Sequence, residues 1–252
     1  MRINICGVAI DRYSFNEVVE RIVEYAIAGG KPEYVVTPNA QHVLSLQEDA
    51  HFREIYRHAF LVVPDGVPLL WAAKFLKTPL KDRVNGTDLF EKLCAIAAEK
   101  KLKIFLLGGR PGAADKAAET LVARHPNLKI AGTYCPSYGF ESKPEELALI
   151  NSKIIAAAPH ILFVGLGAPK QEKWTYANYR ELGVPVSVGI GVSFELVAGM
   201  VTRAPVWMQK TGLEWFFRLI VEPGRLWKRY IIGNPLFILL VLRQRLGFSK
   251  SE

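Results

Sequence analysis

Asp65 is the residue in this chain best placed to take a proton. It lies in Pro64-Asp-Gly66, directly after the apolar run at residues 60–63. Leu61, Val62 and Val63 read as a short buried strand, which Pro64 and Gly66 stop at once. The acid is left at the carboxyl end of that strand, the edge where open α/β sheets bind ligands, so a general base is one reading. A cap for the helix beginning near Val67 is the other, and spacing supports both equally.

Other reactive residue types fall in equivalent places. Thr37 and Asn39, in Thr37-Pro38-Asn39, end the run at residues 34–36, where helix capping is the simplest role for both. Arg83, in Arg83-Val-Asn-Gly-Thr-Asp88, has no evident structural duty, and reads as a surface residue or a phosphate clamp. Thr87 is the expected cap of a helix over residues 88–100. Gly108 and Gly109 open a glycine-rich turn between a strand and a helix, a setting that can turn backbone N–H groups toward an anion. Lys170 and Gln171 fall in the first turn of a helix, where a cation opposes the dipole and a bound anion would explain it. Gly189, Gly191 and Glu195 follow a last short strand. Tyr138 lies in an aromatic loop, as a base-stacking platform or part of a self-packed lid.

These positions need a scaffold that brings strand ends together. From residue 103 onward short apolar runs alternate with helical runs, which predicts a parallel sheet with crossover helices. Residues 3–6 read as a first strand leading to a helix that opens with the capping box Ser14-x-x-Glu17. A second helical stretch is expected over residues 40–58. Every unusual cluster then sits on one edge of an α/β, Rossmann-like sheet.

Composition narrows the field. The chain has 252 residues, half of them hydrophobic, enough for a substantial core. Cys6, Cys94 and Cys135 make no C-x-x-C pair, so no disulfide framework or cysteine zinc site is expected, and a reducing cytoplasm fits. His42, His51, His58, His125 and His160 form no H-E-x-x-H and read as surface or structural residues. No signal peptide is expected at the start. The net charge is +8, of which +6 falls after residue 202, where nine Lys/Arg face three Glu and Trp207, Trp215 and Trp227 are interleaved. Basic and aromatic residues together suit an anionic lipid surface or a nucleic acid. The boundary is placed there: a core over residues 1–202 and a helical appendage over 203–252, broken at Gly212, Pro223-Gly224 and Gly233-Asn234-Pro235. The apolar stretch at residues 235–242 falls short of the ~20 residues that span a bilayer.

Taken together, Thr37-Pro-Asn39, Pro64-Asp-Gly66, Arg83-Val-Asn-Gly86-Thr-Asp88, Leu106-Leu-Gly-Gly109, Val164-Gly-Leu-Gly-Ala-Pro-Lys-Gln-Glu172, Arg203-Ala-Pro205 and Gly212-Leu-Glu-Trp215 closely resemble the WecG/TagA/CpsF family of bacterial glycosyltransferases. The resemblance spans nearly the whole chain. It implies inverting transfer from a UDP-sugar, typically UDP-N-acetylmannosamine or its uronic acid, to a polyprenyl-diphosphate-linked acceptor such as N-acetylglucosamine. Cell-wall or surface polysaccharide synthesis is the implied setting. It also implies no metal or other cofactor, and an appendage docked on the cytoplasmic face of the plasma membrane. Asp65 is implied as the base, in a catalytic group with Thr37, Asn39 and Arg83. Gln171 is implied at the diphosphate, Tyr138 and Glu195 at the uridine, and Arg218, Arg225 and either Lys228 or Arg229 as the basic appendage positions. Glu195 stands where some relatives carry Asp. Lys170, Gly108, Gly109 and Gly191 complete the expected donor site. Nucleic acid is not an expected partner; a homo-oligomer is compatible with the chain. A nicotinamide oxidoreductase would share the architecture, but Gly108-Gly109-Arg110-Pro111-Gly112 is not G-x-G-x-x-G.

Overall fold

The hairpin of β1 (Arg2–Ile5) and β2 (Val8–Asp11) opens the chain, closed by a tight turn in which Cys6 and Gly7 have φ of 51° and 83°. Two successive positive φ values suit the right-handed twist of a two-residue hairpin. The computed structural model describes residues 1–248, the side chains of Lys210 and Arg225 excepted. The expected first strand is therefore not the start of the parallel sheet. It pairs antiparallel with β2 in a sheet of its own. Asp11 joins that sheet to the main one, its Oδ2 accepting from the Val62 amide at 2.9 Å and its Oδ1 and Oδ2 from Arg2.

After α1 (Phe15–Ala28), with the capping box of Ser14 and Glu17 formed as expected, the chain enters β3 (Glu33–Val36). The helical stretch that follows is two helices, α2 (Ala40–Glu48) and α3 (Ala50–His58), because Asp49 leaves helical geometry and its carboxylate accepts from the Phe52 amide at 2.9 Å. Then come β4 (Leu61–Val62), α4 (Val67–Phe75), α5 (Gly86–Lys100), β5 (Lys103–Gly108), α6 (Ala113–Arg124), β6 (Lys129–Tyr134), α7 (Pro144–Ala157), β7 (Ile161–Gly165), α8 (Lys170–Leu182), β8 (Val186–Gly189) and α9 (Ser193–Val197).

β3 to β8 form one parallel sheet in the order β4-β3-β8-β7-β5-β6. Its strands read as apolar runs because both faces are covered. Val35, Ile104, Leu106, Ile161, Phe163, Val186 and Val188 pack with α1, α5, α6 and α9, while their neighbours Tyr34, Val36, Phe105, Leu107, Leu162 and Val164 pack with helices of the opposite layer. Each such fully buried side chain contributes about 1.5–3 kcal/mol.

The appendage comprises α10 (Val206–Thr211), α11 (Glu214–Val221), α12 (Pro223–Trp227) and α13 (Gly233–Arg245). Gly212 ends α10 in the left-handed conformation, as expected. Gly233-Asn234-Pro235 does not break the chain: a wide π turn over Lys228–Ile232 carries α12 into α13, with Gly233 itself helical. Pro235, which has no N–H to donate, lies three residues after that π turn. α13 buries Phe237 and Val241 in the core layer containing α2, α3, α4 and the hairpin. Gln244 reaches that hairpin, accepting from the Cys6 amide at 2.6 Å and donating to the Asn4 carbonyl at 2.9 Å. Among the described residues no helix is long and apolar enough to cross a membrane.

Candidate active site

The order of strand connection reverses between the parallel strands β3 and β8, since β3 is followed outward by β4 while β8 is reached from β7 on the other side. A crevice outside the carboxyl ends of two such strands is where open α/β sheets bind ligands. Thr37 spans it: its hydroxyl donates to the Gly189 carbonyl at 3.0 Å, so it joins the two strand ends rather than capping a helix. Asn39 does cap α2, its Oδ1 accepting from the Gln41 and His42 amides at 3.0 and 3.4 Å.

Asp65 does not cap α4. Gly66 is the residue before that helix, and no side chain caps it. The Asp65 amide donates to the Pro38 carbonyl at 2.7 Å, tying the end of β4 to the end of β3. Its Oδ1 accepts from Asn85 Nδ2 at 3.0 Å. Asn85, not Thr87, caps α5: its Oδ1 accepts from the Thr87 and Asp88 amides. Thr87 is buried in the first turn of α5, with its hydroxyl 3.0 Å from that of Ser193. Burial raises the Asp65 pKa above the usual range and Glu214 raises it further, while Arg83, His42 and Arg218 pull it back. A carboxylate that holds its proton more tightly is the stronger base.

Gln171, in the first turn of α8, ties the end of β7 to the end of β8. Its Oε1 accepts from the Gly191 amide at 3.0 Å and its Nε2 donates to Glu172 Oε1 at 2.8 Å. Glu172 is buried and lies 3.6 Å from His42 Nε2. Since His42 Nδ1 accepts from the Asn39 amide at 3.1 Å, the ring hydrogen is on Nε2, facing Glu172. His42 is thus buried between Asn39, from whose amide it accepts, and the Glu172 carboxylate, to which it makes no hydrogen bond.

Arg83 bridges core and appendage, 3.2 Å from Glu214 of α11 and 3.9 Å from Asp88. Arg203 pairs with Asp88 at 2.7 Å. A cleft of about 270 Å³ is lined by six of the expected residues, Thr37, Asn39, Asp65, Gln171, Gly191 and Arg218. Asn85, His42, Glu214 and Arg229 line it too. Arg83 lines an adjoining hollow of about 110 Å³ that shares Asn39, Asp65, Asn85, Glu214, Arg218 and Arg229 with the cleft.

The remaining expected residues stand apart from this lining. Gly108 has a φ of 109°, and a Cβ on it would come within 2.7 Å of the Gly165 backbone, so glycine is required where β5 and β7 end side by side. The Gly109 amide donates to the Gly165 carbonyl at 2.8 Å and the Arg110 amide to Glu195 Oε1 at 2.9 Å. Glu195 is buried beneath this turn. Lys170 pairs with Glu141, which supplies within the protein the anion that its helix position calls for. Tyr138, 5.9 Å from the Lys170 ammonium, is 99% exposed. The Arg225 side chain lies outside the described residues. Among those, no group of three or more His, Cys, Asp or Glu is placed to hold a metal ion.

Asn85 escapes sequence reasoning because Thr87 competes for the cap in the same short loop, and His42 because a lone histidine carries no spacing signal. Glu214 lies in a resemblance motif, but its partner Arg83 is 131 positions away.

Sheet, switch point and carboxylate together define an α/β protein with a polar binding cleft at its strand ends. By sequence the chain belongs to the WecG/TagA/CpsF glycosyl transferase family, whose model matches residues 3–251. It is similar to an N-acetylglucosaminyldiphosphoundecaprenol N-acetyl-beta-D-mannosaminyltransferase of Bacillus subtilis, with 34% identity over 211 residues, 83% of this chain and 79% of the relative. Relatives of the same description occur in Bacillus spizizenii, at 31% identity over 88% of this chain and 83% of the relative, and in Staphylococcus aureus, at 28% over 100% and 96%.

Proposed function

We propose that this chain transfers an N-acetylmannosaminyl group from its UDP derivative to a polyprenyl-diphosphate-linked N-acetylglucosamine, with inversion and without a metal, in cell-wall or surface polysaccharide synthesis. The observation that carries this reading is Asp65, half-buried in the switch-point cleft and held there by Asn85. The names of the relatives support the acceptor and the transferred sugar.

In the proposed reaction the Asp65 carboxylate takes the proton of an acceptor hydroxyl. The hydroxyl oxygen forms its bond to the anomeric carbon as the bond to UDP breaks on the opposite face, and the electron pair leaves with UDP. Thr37 and Asn39 contact the sugars, and Gln171 fixes the floor beneath the donor through Gly191. Arg218, from α11, and the amino end of α8 offset the charge that develops on the diphosphate, and Lys170 joins them by exchanging Glu141 for the bound anion. Gly108, Gly109 and Glu195 shape the uridine end, and Tyr138 is free to stack on the base. The appendage is the membrane contact: it exposes Trp207, Ile220, Trp227 and Ile231 and carries Lys228, Arg229 and Arg243 in the same stretch of chain. Such a mixture favours the interface of an anionic cytoplasmic leaflet.

The test is incubation of the full chain with a panel of UDP-sugars and N-acetylglucosaminyl-diphosphate-polyprenol, reading product mass. One added N-acetylhexosamine from UDP-N-acetylmannosamine, lost in Asp65→Asn, is the expected result. Transfer of another sugar would overturn the donor, and undiminished turnover by Asp65→Asn would overturn the base.

A further inference from the structure

A groove of about 520 Å³ runs between α2 and α13, outside the cleft that holds Asp65. Leu44 forms part of one wall and Leu236, Leu239 and Leu240 part of the other, with Lys228 and Arg229 toward one end of α13 and Arg243 toward the other. Helix α13 turns Phe237 and Val241, one turn apart, into the core, yet Leu236 and Leu239 stay 48% and 45% exposed. A helix that is apolar on the side facing away from its core has aliphatic surface that a ligand or lipid would cover. Gly233 seats α13 against α2, since a Cβ there would stand 2.9 Å from Gln41 Oε1.

This groove adjoins the reaction cleft, because Gln41, Ser45 and Arg229 line both. Its occupant must therefore have an aliphatic body, an anionic group near Lys228 and Arg229, and a polar end that reaches Asp65. A nucleotide-sugar lacks the first of these and a protein helix the last. We propose that the groove between α2 and α13 holds the head-proximal isoprene units of the acceptor's polyprenyl chain, so that the lipid is bound individually by the protein as well as through the bilayer. The inference rests on the transferase reading above for its sugar end. Burial of the chain against Leu236, Leu239 and Leu240 would supply affinity that does not change during the reaction, so it is felt in acceptor KM and not in kcat.

The experiment uses the full chain in detergent micelles, with two acceptors that differ in tail: a long polyprenyl chain and a two-isoprene chain. Leu236→Glu and Leu239→Glu change exposed positions in the groove, and Ile238→Glu changes an exposed position of the same helix outside its lining. The groove variants are expected to raise KM for the long-chain acceptor about tenfold, while KM for the short-chain acceptor and for the donor stays within about twofold, and Ile238→Glu changes neither. Equal effects on both acceptors, or the same effect from Ile238→Glu, would overturn the assignment. A polyprenyl diphosphate with a photoreactive group on its first isoprene units reads occupancy of the groove without turnover. Labelling of α2 and α13 that Leu239→Glu abolishes supports the groove, and labelling elsewhere overturns it. Failure of every UDP-sugar to react, with that labelling retained, would sink the transferase reading alone.

Discussion

Asn85 Nδ2 stands 3.0 Å from Asp65 Oδ1, in an amide orientation that its own capping bonds impose. Because the Asn85 carbonyl oxygen accepts from the Thr87 and Asp88 amides, the nitrogen is directed to the carboxylate. One residue thereby starts α5 and holds the proposed base. Asn85→Ala is expected to cost about 0.5–2 kcal/mol of stability through the lost cap. It should also lower turnover about 10- to 100-fold, the worth of a hydrogen bond to a charged group. Asn85→Asp keeps a good cap but sets a second carboxylate against Asp65. It should melt like wild type at low pH and at a lower temperature near neutral pH, while its rate profile moves to higher pH, and thermal melts at both pH values beside pH–rate curves separate the two variants.

Asp65 links stability and activity with opposite signs. Its pKa is raised in the folded protein, so between the ordinary Asp value and the raised one the native state keeps a proton that the unfolded chain has released. Stability from this site is present below that window and is lost as pH rises through it. Asp65→Asn should therefore be as stable as wild type or more so near pH 7, with transfer reduced about 100- to 10,000-fold. A variant that is inactive because it is unfolded would contradict this.

Arg83 and Glu214 act on the same carboxyl group with opposite sign, Glu214 raising its pKa and Arg83 lowering it. Glu214→Gln should move the acid limb of kcat/KM to lower pH and Arg83→Gln should move it to higher pH. The double variant should fall between them. A limb that stays fixed in all three would show that Asp65 does not titrate in it.

Gly108→Ala tests a structural requirement against a ligand one. With φ at 109° and the Gly165 backbone 2.7 Å from the added Cβ, the substitution should destabilise the fold by about 1–3 kcal/mol or more. For a chain of this size that lowers Tm by about 2–4 °C per kcal/mol. An unchanged Tm with weakened UDP binding would instead mean that the glycine serves the nucleotide directly.

The parallel sheet and its reactive edge were legible because strand runs such as residues 161–165 are apolar on both faces and each ends in glycine, proline or a small polar residue. Asp65, Thr37, Asn39 and Gln171 could be placed on that edge without knowing which strands are neighbours. Strand order was not legible: the Thr37 bond to Gly189 joins positions 152 apart, and no local pattern encodes it. Local signals also misled where tertiary contacts override them. Gly233-Asn234-Pro235 reads as a break, yet seating Phe237 and Val241 in the core keeps the backbone helical. Over residues 40–58 the helical pattern runs on without a glycine or proline, and one well-placed carboxylate at Asp49 divides it.

The Gln244 bonds to Cys6 and Asn4 carry a consequence for synthesis. The hairpin leaves the ribosome well before α13, and the side chain that satisfies its turn lies 238 residues later. Domains made vectorially can begin to fold from their amino end, but contacts of such long range must await α13. Until α13 has emerged, the surface of α2 that packs with Phe237 and Val241 is uncovered, so a chain halted ahead of α13 would display the assembled sheet with that face still open.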